Sequence, residues 1–126
     1  MTPTAERQHT FPKREHLCGK MRIAALYEHG RRFTAWPLRV TYAPAGDDST
    51  QVLVWAPKSL FRHAVQRNRL RRQMREAYRL NKQLLAAPCH VAFNYIDKAP
   101  QPYRTIERAM QKALARIQTE QNTTRP

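Results

Sequence analysis

R-H-A-V-Q-R-N-R-L-R-R-Q-M-R-E-A-Y-R-L-N-K, residues 62–82, holds eight arginines or lysines against a single acid, Glu76. That is +7 of the chain's formal +14, carried by 21 of 126 residues. Wound as a helix at about 100° per residue, the stretch sorts by chemistry. Leu70, Met74, Ala77 and Tyr78, followed by Leu84 and Leu85, fall on one face. Asn68, Arg71, Arg72, Arg75, Arg79 and Lys82 fall on an arc of about 100° facing away from it, with Arg67 and Arg69 at its flanks. An apolar stripe that docks on a core, backed by a stripe of guanidinium groups, is a phosphate-binding surface fixed to a globular body.

Charge runs on helices are more often solvated faces, but those mix both signs in i,i+4 pairs. Here only Glu76 offsets several arginines, and such repulsion is relieved by an anionic partner. Arginine outnumbers lysine seventeen to six across the chain. The flat guanidinium suits bidentate phosphate contacts and base stacking better than an ammonium does. The stripe therefore points to nucleic acid.

Outward from this helix, the remaining elements follow from periodicity and punctuation. Before it, residues 20–29 predict a helix with Met21, Ile23, Ala24, Leu26 and Tyr27 as apolar positions, stopped by Gly30 in a left-handed conformation. Residues 33–43 predict an extended region in which Leu38, Val40 and Tyr42 alternate with Pro37, Arg39 and Thr41. Pro37 implies an edge position or a break in pairing. P-A-G-D-D-S at 44–49 is turn chemistry, and 52–56 returns as a strand, so the two extended regions predict a hairpin. After the basic helix, residues 89–96 predict a strand with Val91, Phe93 and Tyr95 on one face. Residues 103–118 predict a last helix on Ile106, Ala109, Met110, Ala113, Leu114 and Ile117. Helix, strands, basic helix, strand, helix in one small domain is an α+β sandwich, with helices on a mostly antiparallel sheet. Residues 1–10 and 119–126 are polar and predict disordered tails around a domain at 11–118.

The chemistry that is missing narrows the function. Cys18 and Cys89 have no CxxC partner and read as reduced thiols of a cytoplasmic protein. The five histidines are scattered, so no zinc site is expected. No apolar run reaches membrane-spanning length, and the first ten residues lack the apolar core of a signal peptide. A protein nuclease needs metal-holding carboxylates or a base–nucleophile pair. Asp47-Asp48, the only adjacent acids, fall in the turn stretch, where Asp is favoured for backbone reasons. His63 has no carboxylate or cysteine placed by sequence to activate it, and three glycines build no phosphate loop. The chain reads as a binder of nucleic acid, with nothing in the sequence that looks able to cut a phosphodiester by itself.

At A-V-Q-R-N-R-L-R-R-Q-M-R-E-A-Y-R, residues 64–79, the sequence closely resembles the protein subunit of bacterial ribonuclease P. That family carries an arginine-asparagine-arginine motif opening a basic helix, then a basic pair and a further arginine. Arg67, Asn68 and Arg69, then Arg71, Arg72 and Arg75, match it here, behind Ala64-Val65. The resemblance spans about residues 11–118. It implies a single-domain α/β sandwich like that of a ribosomal-protein domain, with a left-handed crossover into the basic helix. It also implies an accessory subunit of an endonuclease whose catalytic RNA removes the 5′ leader of precursor tRNA, using magnesium held mainly by the RNA. The implied partners are that RNA and precursor tRNA; no protein partner or membrane is indicated. The implied RNA contacts are Arg62, Arg67, Asn68, Arg69, Arg71, Arg72, Arg75 and Arg79. Aligned on His29-Gly30, Ile23 and Tyr27 take the first-helix positions of the family's leader cleft, with Leu38 and Val40 on the strand. Tyr27 is placed to stack a base; all four fit a core equally well by pattern. The chain departs from the family at Ser59, Leu60, Phe61 and His63, where several members carry basic or glycine-asparagine residues, and at Ile23, where many carry an aromatic. A structural ribosomal or RNA-chaperone protein shares the electrostatics and is the second reading. A DNA-binding basic helix is the third, without the zipper or second recognition helix that sets half-site spacing.

Overall fold

The strand with the greatest apolar burial sits at the centre of the sheet and sets the order of the rest. In the computed structural model, which describes residues 11–45 and 49–124 (side chains through 121), the elements in chain order are α1 (Lys20–His29), β1 (Arg31–Ala35), β2 (Leu38–Pro44), β3 (Gln51–Trp55), α2 (Ala64–Asn81), β4 (Cys89–Tyr95) and α3 (Tyr103–Thr124). Single 3-10 turns occupy Lys13–Glu15 and Lys82–Leu84. The sheet order is β1-β2-β4-β3. β4 has five buried positions in seven and none exposed, which suits a strand covered on both faces. It pairs antiparallel with β2 and parallel with β3, and α2 is the crossover that parallel neighbours require.

This corrects the expected hairpin. Residues 33–43 are not one strand but two, β1 and β2, turning at Trp36-Pro37 and pairing from Arg31↔Tyr42 to Ala35↔Leu38. Pro37 makes the turn, as a break in pairing. β3 does not pair with β2, because β4 lies between them, so β3 becomes an edge strand with Trp55 44% exposed. The turn residues 46–48, Asp47-Asp48 among them, lie outside the described residues, as do residues 1–10 of the expected disordered tail.

The pleat divides the sheet into two working faces. Leu38, Val40, Tyr42, Val52, Val54, Val91, Phe93 and Tyr95 face α2 and α3 and build the main core. From α2 it takes Leu70, Met74, Ala77 and Tyr78, and from α3 Ile106, Ala109, Met110, Ala113, Leu114 and Ile117, none more than 3% exposed. Each such Leu, Ile or Met contributes about 1.5–3 kcal/mol relative to an exposed position. On the opposite face a smaller cluster, Leu17, Leu26 and Ala92 with Ile23, Tyr27, Ala43 and Leu53 against it, seats α1. The result is three layers, α1, sheet and the α2–α3 pair.

Helix ends show where periodicity misleads. α1 stops at Gly30, but with φ −74° rather than in the left-handed region. Glycine is needed for space: a Cβ there would stand 2.5 Å from the Leu26 carbonyl oxygen and 2.9 Å from Thr41 Cγ2. α2 ends at Asn81, and the 3-10 turn that follows swings Leu84 out to 39% exposure while Leu85 stays buried. Buried Asn81 donates to the Ala77 carbonyl (2.8 Å) and to Glu107 (3.2 Å), and accepts from Gln111 (3.1 Å), tying α2 to α3. α3 starts on the Pro102 carbonyl, which accepts from Thr105 and Ile106. It runs to Thr124, so residues 119–124 are helical and not the expected disordered tail. Gln121 extends the buried row by one more turn as a polar residue that a hydrophobic count passes over.

Candidate nucleic-acid interface

The basic helix sorts its cations into those held by the protein and those left for a ligand. Arg67 is half-buried and folds back to donate to the carbonyls of Phe61 (2.8 Å) and Arg62 (3.0 Å). No side chain caps the helix at His63, so this guanidinium ties the loop to its first turn. Arg79 pairs with Glu76 one turn earlier, which holds the Glu76 carboxyl below its ordinary range. Lys82 pairs with Glu15 at 2.9 Å and fastens the 3-10 turn at Lys13–Glu15 to the end of α2. Arg71 donates to Asn68 and lies over the Trp55 ring at 5.6 Å from its centroid. The side chains of Arg62, Arg69, Arg72 and Arg75 are exposed and make no ion pair or hydrogen bond among the described residues. These four, opposite Leu70 and Met74, form the open cationic surface.

A second feature lies between α1 and the sheet. It is a groove of about 450 Å³ whose lining includes Tyr27, Arg32, Arg39, Thr41, Leu60 and Asn94. Tyr27 donates to Asn94 Oδ1 at 2.8 Å, and burial pushes its phenol pKa up. Arg32 donates to the Tyr27 carbonyl at 2.6 Å. Register places Arg39, Asn94 and Trp55 in one row across β2, β4 and β3. With Arg71 over Trp55, that row continues onto the basic helix. Guanidinium groups for phosphates and aromatic rings for bases therefore lie along one track from α1 to α2.

Two of the four expected cleft residues belong elsewhere. Leu38 and Val40 are 0% exposed and face α2 and α3, on the side of the sheet away from the groove. The expected split between 38, 40, 42 and 37, 39, 41 is present, but the polar set faces the groove. Ile23 and Tyr27 do lie on that side, half-buried against the small cluster, and Tyr27 reaches the groove. Arg32, Arg39, Asn94 and Trp55 were not singled out by sequence, although the alternation of 39 and 41 against 38 and 40 carries the signal for Arg39.

The resemblance implies a magnesium ion held mainly by the RNA. Among the described residues no three His, Cys, Asp or Glu side chains come together. His63 is exposed at the start of α2; Cys18 is exposed and Cys89 buried, both unbridged. No helix of the described residues is long and apolar enough to cross a membrane.

Comparison with known proteins agrees with this geometry. The family model described as Ribonuclease P matches residues 11–118. The ribonuclease P protein component of Porphyromonas gingivalis is 39% identical over 115 residues, covering 83% of this chain and 84% of that one. The component from Chlorobium phaeobacteroides is 38% identical over 89 residues, 66% of this chain and 58% of its own. The solved RNase P protein of Thermotoga maritima superposes with a TM-score of 0.72 at 19% identity, over 81% of this chain and 96% of that one. The RNase P protein of Staphylococcus aureus does so at 0.70 and 16%, over 82% and 94%. These matches select the ribonucleoprotein reading over a ribosomal or DNA-binding one. The chain belongs to the ribonuclease P protein family, the protein components of the endoribonuclease ribonucleoprotein that matures the 5′ end of tRNA.

Proposed function

We propose that this protein binds the RNA subunit through the open face of α2 and holds the 5′ leader of precursor tRNA in the groove between α1 and the sheet. The observation that carries the reading is the sorting on α2: three guanidinium groups without internal partners, Arg69, Arg72 and Arg75, stand on its exposed side with Arg62 just ahead of the helix, and the core takes the other side. Arg62, Arg69, Arg72 and Arg75 meet phosphates. Arg71 keeps its place over Trp55 and offers the RNA a guanidinium beside an aromatic surface. Arg67 acts mainly by shaping the loop it clasps, and Arg79 shares its charge with Glu76.

In the groove, the Tyr27 ring stacks a leader base without demanding its identity, while Arg32 and Arg39 meet the backbone. The chemistry would be supplied by magnesium held mainly by the RNA; the protein's part is affinity and position. The complex works in the cytoplasm.

Titrating the reconstituted complex with salt tests the α2 assignment. With about four to five phosphates engaged, the log–log slope of affinity against salt is expected at roughly −3 to −5. Arg72→Ala with Arg75→Ala should flatten it by about one to two while leaving the melt unchanged. An unchanged slope in the folded double variant would make the arc a solvated face.

A further inference from the structure

A second cationic surface lies on α3. Arg104, Arg108, Lys112 and Arg116 follow one another at i,i+4 spacing, and all four are exposed. Each step advances about 6 Å along a helix and about 40° around it, so they form one ridge roughly 18 Å long. The ridge stands opposite the buried row from Ile106 to Ile117.

Of its four cations the acids of α3 pair only Arg116 among the described residues, with Glu120 at 2.9 Å. Glu107 accepts hydrogen bonds from Asn81 and Tyr103, and Glu120 accepts from Arg116 and Tyr42. The side chains of Arg104, Arg108 and Lys112 make no ion pair or hydrogen bond among the described residues. Like charges at i,i+4 repel. Arg104 also stands in the first turn, at the positive end of the helix dipole, where α3 has no acid.

The α2 arc and this ridge lie on neighbouring helices that pack side by side on one face of the sheet. β1 and β3 are opposite edges of the sheet, roughly 14 Å apart at three strand spacings. At the β3 edge Arg71 of α2 lies over Trp55; at the β1 edge Arg116 of α3 lies over Phe33, 4.3 Å from its centroid. Arg71 and Arg116 thus lean toward different flanks of the two-helix layer, while Arg69 lies beside Tyr103 at the start of α3. The residues interleaved on the ridge, Gln111, Ala115 and Thr119, include no large apolar side chain, so it lacks what a helix lying in a lipid surface needs.

We propose that Arg104, Arg108 and Lys112 form a second RNA-binding surface, which grips a phosphate-backbone segment of the RNA subunit distinct from the one on α2. The protein is then held between two segments of one RNA. This rests on the proposed function, and the experiment separates the two.

Two variants are compared in the reconstituted complex: Arg104→Gln/Arg108→Gln/Lys112→Gln and Arg72→Gln/Arg75→Gln. Glutamine keeps helix propensity, and thermal melts confirm folding. The α3 triple variant should flatten the salt slope by about two to three, at 0.7–0.9 per phosphate. In a hydroxyl-radical footprint of the RNA it should lose one protected segment and keep the segment that the α2 variant loses. An unchanged slope and footprint in the α3 variant, with the α2 variant weakened, would overturn the ridge and leave the proposed function standing. Loss of the same segment in both would overturn the two-segment arrangement. Loss of binding to phosphatidylserine vesicles with the RNA footprint intact would make the ridge a membrane surface and overturn it. No change in either variant would overturn both readings.

Discussion

Tyr27 lies where core packing and leader contact meet, and two substitutions separate them. Its ring is half-buried in the cluster that seats α1, and its hydroxyl donates to Asn94 at 2.8 Å. Truncating a fully buried aromatic to Ala costs about 3–5 kcal/mol, so a half-buried one costs about 2. Losing the hydrogen bond adds about 1 kcal/mol. Tyr27→Ala should therefore destabilise the protein by about 3 kcal/mol, and Tyr27→Phe by about 1 kcal/mol, or about 4 °C in Tm. If the ring stacks a leader base, Tyr27→Ala also loses about 1–3 kcal/mol of binding to leader-bearing precursor tRNA. That is a drop of about 5- to 150-fold. Mature tRNA, which has no leader, should bind as before, and Tyr27→Phe should keep the leader affinity. The assay is a pair of affinities for the reconstituted complex beside melts of wild type and both variants. Equal losses for the two RNAs, or full leader affinity in the folded Tyr27→Ala variant, would refute the stacking role.

Leu38→Ala, at a fully buried position on the far side of the sheet, should lower stability by about 2–5 kcal/mol in a urea melt, without selective loss of leader affinity. Gly30→Ala drives a Cβ against the Leu26 carbonyl and Thr41, and should cost about 1–3 kcal/mol by the same measurement although its φ suits alanine. Burial pushes the Cys89 thiol up to about 12, so iodoacetamide at neutral pH should modify exposed Cys18 in the native protein and reach Cys89 only on unfolding; mass spectrometry reads the sites.

The elements were legible wherever chemistry repeats at a local period. α1 keeps its expected bounds, and α2 shows both stripes, because 3.6-residue repetition is a property of the segment itself. Strand pairing is not local. Nothing in residues 33–56 states that β4, some 35 residues on, will separate β2 from β3; that follows from β4 being covered on both faces, with no exposed position. The groove was misread for a related reason. Alternation separated Leu38 and Val40 from Arg39 and Thr41, but which set faces α1 depends on the larger core built by α2 and α3. That core claims the apolar set and leaves Arg39 in the groove. Arg67 and Lys82 looked like free charges because their partners, a loop carbonyl pair and Glu15, are placed by tertiary structure alone.

The central claim is that this chain contributes binding and position while the RNA contributes the chemistry. Cleavage of precursor tRNA at low magnesium tests it most directly, with RNA-free protein, RNA subunit alone, and both together. Efficient removal of the leader is expected only from the two combined, with RNA alone slow until magnesium is raised. Accurate cleavage by RNA-free protein, or no gain on adding it to the RNA, would contradict the claim.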